Sequence, residues 1–218
     1  MRDLFLKQLE ELHTMLIEMG ALCESVIERS QAALMQEDRG AAAEIIEKDS
    51  EIDMKEREIE SMCLKLLLQQ QPVASDLRKV SAALKMITDM ERIGDQAADI
   101  AEIIKTTDLK APVQELRLGE MAKATMKMVS ESIDSFVKND LILAKKVIDD
   151  DDIIDNLFLE VRDELGRMMQ VQEATPEQLF DLLMIAKYYE RIGDHATNIA
   201  EWVVFSLTGE HRSAELVK

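Results

Sequence analysis

Apolar residues recur at alternating intervals of four and three along almost the whole chain, which predicts long amphipathic α-helices. The pattern is clearest in the first segment, where one seam contains Phe5, Leu9, Leu12, Leu16, Met19, Cys23, Val26, Ser30 and Ala33. Breaks near Gly40, at Pro72 and between 107 and 112 separate the helices of the first half. The predicted helices cover about 2–36, 41–70, 75–107, 112–138, 141–171 and 176–208. Pro112 and Pro176 open two of them, the latter after Thr175 as N-cap.

The second half of the chain repeats the plan of the first. An offset of 102 residues matches Asp49 with Asp151 and Asp53 with Asp155. An offset of 99 aligns ERIGDQAADIAE at 91–102 with ERIGDHATNIAE at 190–201. A unit of about 100 residues is too long for a solenoid repeat. The sequence therefore predicts an all-α fold of two tandem, related three-helix bundles with six long antiparallel helices, at 1–108 and 109–218.

Acidic residues fall on the inward faces of these helices in both halves. In the second helix, Asp49 occupies a position where an apolar residue is expected, and Asp53 follows one turn later. Asp151 and Asp155 repeat this pair. The third and sixth helices carry polar residues at i, i+4 and i+8, which stack along one stripe: Glu91, Asp95 and Asp99, then Glu190, Asp194 and Asn198. Glu56 is left out because Phe158 replaces it in the second half.

Stripes of like charge repel unless something positive compensates them. One interpretation is a solvated face on which Arg92 and Arg191 pair with the acids. The other is a bound hard cation, because oxygen ligands without histidine suit Mg²⁺, Ca²⁺, Mn²⁺ or iron. Repetition of the stripes in register, together with the inward position of the Asp pairs, favours metal sites.

Gly94 and Gly193 stand in the middle of the two phrases, although a glycine inside a helix costs about 1 kcal/mol relative to alanine. Their repetition suggests a steric need, either close approach of a neighbouring helix or room for ions. Inheritance at duplication without any role is the alternative. His195 directly follows Asp194 on its helix, so it is expected to point away from the stripe.

Composition and charge narrow the function classes. A formal net charge of -18 on 218 residues disfavours binding to nucleic acid or anionic lipid and suits a basic protein partner or cations. Cys23 and Cys63 fall at apolar positions and are expected to be buried. No apolar run approaches ~20 residues, so we expect a cytoplasmic protein that is not embedded in a membrane. The chain has no Gly-rich phosphate loop, no Cys/His nucleophile pattern and no HExxH motif, so we expect no enzymatic activity.

The two ERIGD phrases, each paired with an acidic D-x-x-x-D on the preceding helix, resemble the motifs of the PhoU family of phosphate-transport accessory proteins. The resemblance covers essentially the whole chain and implies paired three-helix bundles, often dimeric. It also implies multinuclear metal clusters on the acidic motifs, with iron first and zinc or another divalent cation as alternatives. The implied function is negative regulation of phosphate uptake and of the phosphate-starvation response. The implied partners are the ATP-binding subunit of the phosphate ABC transporter and a sensor histidine kinase.

The predicted metal ligands form one set in each half. The first set is Asp49, Asp53, Glu91, Asp95 and Asp99, and the second is Asp151, Asp155, Glu190, Asp194 and Asn198. A carboxylate-bridged di-iron enzyme of the ferritin-like type is one alternative, but such sites use Glu-x-x-His pairs. No histidine stands three residues after a candidate glutamate here. A metal-free acidic scaffold is the third possibility.

Overall fold

The structure is a computed structural model that describes residues 2–70, 73–108, 113, 116–172 and 174–210. Six helices account for nearly all of this part: α1 (Arg2–Gln36), α2 (Arg39–Gln70), α3 (Ala74–Thr106), α4 (Leu118–Lys138), α5 (Leu141–Val171) and α6 (Pro176–Thr208). The described residues contain no β-strand, so the predicted all-α fold is confirmed. Over the same residues, no helix combines the length and the apolar character that crossing a membrane requires.

Five of the six helices begin and end within two residues of the positions expected from the sequence. The exception is α4, which was expected to begin near 112 and begins at Leu118. Val113 and Leu116 are buried outside any α-helix, so their apolar character reflects an irregular segment packed on the core. The predictions that rest on Pro72 and Pro112 lie outside the described residues.

Side chains cap the first turns of several helices, and equivalent residues of the two halves cap α2 and α5. The Asp38 carboxylate accepts hydrogen bonds from the backbone N–H groups of Gly40 and Ala41, at 2.9 and 3.0 Å. Asp140, its equivalent in the second half, caps α5 in the same way. The predicted N-cap at Thr175 is confirmed as part of a reciprocal capping box with Gln178. Such caps satisfy N–H groups that have no partner within the helix.

Each half forms an antiparallel three-helix bundle, and the two bundles pack directly against each other. The most extensive contact between any two helices is that of α3 with α6, which belong to different halves. Helices α1 and α4 also pack across the halves. Gly20 of α1 lies against Ile133 of α4, and Gln31 of α1 lies near Gly119 of α4. Because the numbering rises on one helix as it falls on the other, α1 and α4 are antiparallel.

The halves share one continuous apolar core. Four helices, α1, α3, α4 and α6, form its centre, whereas α2 packs on α1 and α3 and α5 packs on α4 and α6. Tyr189 on α6 is fully buried, and its hydroxyl lies 3.4 Å from the hydroxyl of Ser30 on α1. Cys23 and Cys63 are buried free thiols, as expected. The acidic motifs therefore lie where the outer helices α2 and α5 meet the central helices α3 and α6.

Candidate metal centre

The groove between α2 and α3 brings the predicted acids of the first half together. Asp49 and Asp53 approach it from α2, and Glu91, Asp95 and Asp99 from α3; all five are half-buried. Burial raises the pKa of Asp49 above its usual range, and the nearby charges of Asp95, Asp53 and Asp99 raise it further. Burial and the neighbouring charge of Asp95 also raise the pKa of Glu91 and Asp99. These carboxylates act on one another as one repulsive group.

Glu56 belongs to this group, although the sequence comparison of the two halves excluded it. Its own pKa is raised by burial first and by the charges of Glu60 and Asp53, and its carboxylate in turn raises the pKa of Glu91. The Thr88 hydroxyl donates to it at 3.5 Å. The position of Glu56 on the inward face of α2, three residues after Asp53, could have predicted this membership from the sequence. We define cluster 1 as the six carboxylates Asp49, Asp53, Glu56, Glu91, Asp95 and Asp99.

The groove between α5 and α6 holds the second acidic group. Cluster 2 consists of Asp151 and Asp155 on α5 and of Glu190 and Asp194 on α6. The pKa of Asp194 is raised to about 6, by partial desolvation and by repulsion from Glu190 and Asp151. Burial also raises the pKa of Asp151, which accepts a hydrogen bond of 3.2 Å from the Thr197 hydroxyl. Thr197 was missed in the sequence because the first half has Ala98 in its place.

In each cluster a basic side chain forms an ion pair, and these two side chains occupy different positions in the repeat. The charge of Arg191 on α6 also lowers the pKa of Asp99 in cluster 1. In cluster 1, the Arg92 guanidinium pairs with Asp95 at 2.8 Å and with Glu91 at 3.4 Å. In cluster 2, the Lys187 ammonium pairs with Glu190. The expected pairing of acids with arginine is therefore present in part of cluster 1, at Arg92. Over the described residues, Asp49, Asp53 and Asp155 have no ion pair.

Asn198 lies apart from cluster 2, at the interface between α3 and α6. Its amide nitrogen donates to the Asp89 carboxylate at 3.2 Å, and the Nδ1 atom of His195 lies 2.9 Å from the same oxygen. At the equivalent position in the first half, Asp99 lies close to the Tyr188 hydroxyl of α6, also across the interface, and its charge raises the pKa of Tyr188. The outer members of the two predicted ligand sets thus contact the opposite repeat. His195 points away from cluster 2, as its position after Asp194 predicts.

Close helix packing accounts for one of the two repeated glycines. A Cβ atom at Gly94 would lie 2.8 Å from the Cδ1 atom of Ile52 and 3.3 Å from a carboxylate oxygen of Asp49. The nearest atoms to a Cβ at Gly193 belong to Ile154, at 3.4 Å, which is ordinary contact. A Cβ atom at 94 would therefore force the buried Ile52 side chain to shift where α2 and α3 approach beside cluster 1, whereas a Cβ atom at 193 would make ordinary contact.

The donor chemistry of both clusters fits a hard cation. All candidate ligands are carboxylates, several lack a basic partner, and their mutual repulsion is the kind of strain that a bound cation relieves. In cluster 2, the Lys187 ammonium offsets part of this repulsion by pairing with Glu190. In the side-chain conformations of this structure, no three His, Cys, Asp or Glu residues among those described converge closely enough to hold a metal ion. Metal binding stays a prediction.

Comparison with known proteins places this geometry in a family. A family model of the PhoU domain matches the chain twice, over residues 16–104 and 118–203. The chain is 36% identical over 211 residues to a protein of Clostridium acetobutylicum named as a phosphate-specific transport system accessory protein PhoU homolog, covering 96% of both chains. It superposes on the crystal structure of PhoU from Pseudomonas aeruginosa with a TM-score of 0.85 and 32% identity, covering 94% of this chain and all of that one. For the phosphate transport system regulatory protein PhoU from Streptococcus pneumoniae the TM-score is 0.88, with 30% identity and coverage of 94% and 98%.

Proposed function

The chain belongs to the PhoU family, and on that premise we propose that it is a non-enzymatic regulator of phosphate uptake. The observation that carries the proposal is the match of both PhoU domains, in a chain that spans 96% of its Clostridium acetobutylicum relative. Relatives with this architecture are named accessory or regulatory proteins of phosphate transport. The proposed regulation is negative, so the protein restrains phosphate uptake and the phosphate-starvation response when phosphate is plentiful.

We further propose that the protein acts as an adaptor in the cytoplasm, without nucleic acid as a partner. Its partners would be the ATP-binding subunit of the phosphate ABC transporter and the sensor histidine kinase of the phosphate response. The net charge of -18 supports binding to basic protein surfaces, because complementary charge accelerates association and disfavours partners of like charge. A homodimer is part of the same proposal.

The proposed cofactor is a divalent or trivalent cation, iron or zinc, held in multinuclear form by the acidic clusters. Bound cations would neutralise the repulsion within each cluster and tie the outer helix of each bundle to its central helix. Asp49 and Asp53 on α2 face Glu91 and Asp95 on α3, so cluster 1 would join those two helices. Cluster 2 would join α5 to α6 in the same way. The competing interpretation is a metal-free scaffold in which Arg92 and Lys187 compensate the acids.

Metal analysis of the purified full chain tests the cofactor. Replacing Glu190 and Asp194 by alanine should lower the iron or zinc content by the amount of one cluster. A matched control replaces Glu47 and Glu51, two exposed acids of α2 that lie outside both clusters, and should leave the content unchanged. Unchanged stoichiometry in the first variant would show that these residues do not hold the metal. Absence of iron and zinc at saturating concentrations would favour the scaffold.

A complementation experiment tests the regulatory role. A bacterial strain that lacks its own family member derepresses the phosphate-starvation response in phosphate-rich medium, if the negative sign is correct. Expression of this chain should restore repression, measured as alkaline phosphatase activity and as phosphate uptake. Co-purification with the ATP-binding subunit or with the kinase then identifies the adaptor's partners. A stable, folded chain that leaves the strain derepressed would contradict the proposed function.

A further inference from the structure

A groove lies open at the C-terminal end of α3, between α2 and α6. Its volume is about 370 Å³, and its lining includes Ile46 of α2, Tyr188 of α6 and, from α3, Asp99, Glu102, Ile103 and Thr106. Ile46 and Ile103 pack on the apolar core and form an apolar wall. The first turns of α6 lie beside the groove, because the Thr107 hydroxyl donates to the Asp181 carboxylate at 2.8 Å. A groove of this volume accepts a large side chain of another molecule.

The second half shows which side chains occupy the equivalent place there. The offset of 99 aligns Ile103 with Trp202 and Thr106 with Phe205. The rings of Trp202 and Phe205 pack edge to face, with their centroids 5.8 Å apart. Thr106 donates its hydroxyl to the backbone oxygen of Glu102 in its own helix, at 2.8 Å. Where the second half has two aromatic rings, the first half therefore has two smaller side chains beside an open groove.

Exposed apolar side chains continue from the groove along α6. Phe180 and Met184 precede Tyr188 by two turns and one turn, so the three side chains follow one stripe of the helix. Phe180 is 58% exposed and Met184 is 43% exposed. The offset of 99 aligns these two residues with Ser81 and Lys85 of α3, which are polar. Apolar side chains grouped on the surface beside a groove are typical of a protein-interaction site.

The charges around the groove favour a basic partner. Asp99 and Glu102 outnumber Lys105 among the charged residues of the lining. The whole chain has a formal net charge of -18, which attracts basic surfaces and repels acidic ones. Aromatic side chains and arginine contribute most of the binding energy in many protein interfaces. An aromatic side chain with basic neighbours therefore matches both the apolar wall and the acidic rim.

We propose that this groove docks an aromatic side chain of a protein partner, flanked in the partner by lysine or arginine. The proposal rests on the adaptor function proposed above and assigns a surface to it. The partner's ring takes the place that Trp202 and Phe205 occupy in the second half. Its basic neighbours face Glu102, and further apolar residues of the partner contact Phe180 and Met184 of α6.

Three short peptides with blocked termini, Lys-Trp-Lys, Glu-Trp-Glu and Lys-Ala-Lys, test the chemistry of the occupant. Each is titrated into the full chain, labelled with ¹³C at the isoleucine δ1-methyl groups, and ring-current shifts are measured at Ile46 and Ile103. We expect saturable shifts with Lys-Trp-Lys and at least about fivefold weaker binding of Glu-Trp-Glu. Lys-Ala-Lys should give no saturable shift, because it has no ring to fill the groove.

A variant that fills the groove from within tests its location. Ile103→Trp with Thr106→Phe introduces the side chains of the second half, keeps every charge, and should abolish the shifts at Ile46. The matched control, Ile153→Trp with Asn156→Phe, adds the same side chains at the same spacing on an exposed face of α5 and should leave binding unchanged. If melting temperatures show that the filled variant does not fold, Thr106→Phe alone, at an exposed position, should weaken Lys-Trp-Lys binding by about tenfold.

The outcomes separate the docking surface from the regulatory function. Absence of shifts with Lys-Trp-Lys, equal binding of all three peptides, or shifts that persist in the filled variant would overturn the docking surface. In the complementation experiment, loss of repression by the folded, filled variant but not by the α5 control supports it. If both variants repress as well as the unmodified chain does, the groove is not the adaptor surface and the proposed function stands. If the unmodified chain itself fails to repress, the proposed function is contradicted, and the peptide titration still decides whether the groove binds an aromatic side chain.

Discussion

Three helical glycines provide a graded test of the packing beside cluster 1. Gly166 on α5 is exposed, and a Cβ atom there would meet nothing within 4 Å. Replacing it by alanine should therefore stabilise the protein by the full difference in helix propensity, about 1 kcal/mol. Gly193→Ala should gain nearly as much, because its nearest neighbours on Ile154 lie at 3.4 Å.

Gly94→Ala should behave in the opposite way. Its Cβ would lie 2.8 Å from the Cδ1 atom of Ile52, a side chain that is only 1% exposed and has little room to move. Overpacking of this kind costs about 1–3 kcal/mol. After the propensity gain of about 1 kcal/mol is subtracted, the net loss is between about zero and 2 kcal/mol. Gly94→Ala should therefore be less stable than Gly166→Ala by about 1–3 kcal/mol.

Urea denaturation of the chelated protein, followed by circular dichroism, measures these differences from the transition midpoints at constant m-value. A change of 1 kcal/mol corresponds to roughly 2–4 °C in the melting temperature of a domain of this size. If Gly94→Ala were as stabilising as Gly166→Ala, close packing of α2 against α3 could not be the reason for glycine at position 94. An equal loss at 94 and 193 would instead indicate a requirement common to both repeats.

Three other predictions concern the acids and the caps. The pKa of Asp194 is raised from 3.8 to about 6, so ionisation of its carboxyl group destabilises the folded state. The free energy of unfolding of the chelated protein should therefore rise as the pH falls from 7 towards 4. In urea melts at several pH values, Asp194→Asn should remove the contribution of this group to the pH dependence. Asp89→Ala should cost about 1 kcal/mol, because it leaves the half-buried His195 without its acceptor between α3 and α6, whereas the exposed Asn198 can bond to water instead. The iron or zinc content should be unaffected by this change, and a large loss of metal would assign Asn198 to the metal site after all. Thr175→Ala should cost about 1 kcal/mol in the same melts by removing the capping box of α6, and a neutral result would argue against that cap.

Much of the fold follows from helical periodicity, because long helices with few internal breakers leave a clear pattern of apolar residues. The start of α4 does not follow from it, since Val113 and Leu116 are buried in irregular backbone and look like helical core residues in the sequence. The i, i+4 spacing likewise predicted that the acids of each helix share a face. Periodicity describes one helix at a time, however, and does not show which helices meet.

The same limit explains the differences at the candidate site. Asn198 shares a helix with Asp194, but its partner is Asp89 on the opposite repeat, a contact that only the packing of α3 on α6 creates. Glu56 was excluded because the two halves were expected to match at every ligand. The structure instead shows that equivalent positions carry different charges, as at Thr88 and Lys187 or at Glu56 and Phe158.

The contacts between the halves have the form of an isologous dimer interface within a single chain. Asp89 pairs with Asn198, and the equivalent residues Tyr188 and Asp99 lie close together in exchange, as a two-fold axis between α3 and α6 requires. α1 and α4, the other pair of equivalent helices, are also antiparallel. A separated first half and second half, expressed together, should therefore reassociate through these helices. Because this two-fold surface is already occupied within the chain, the proposed homodimer of the whole protein would use a different face.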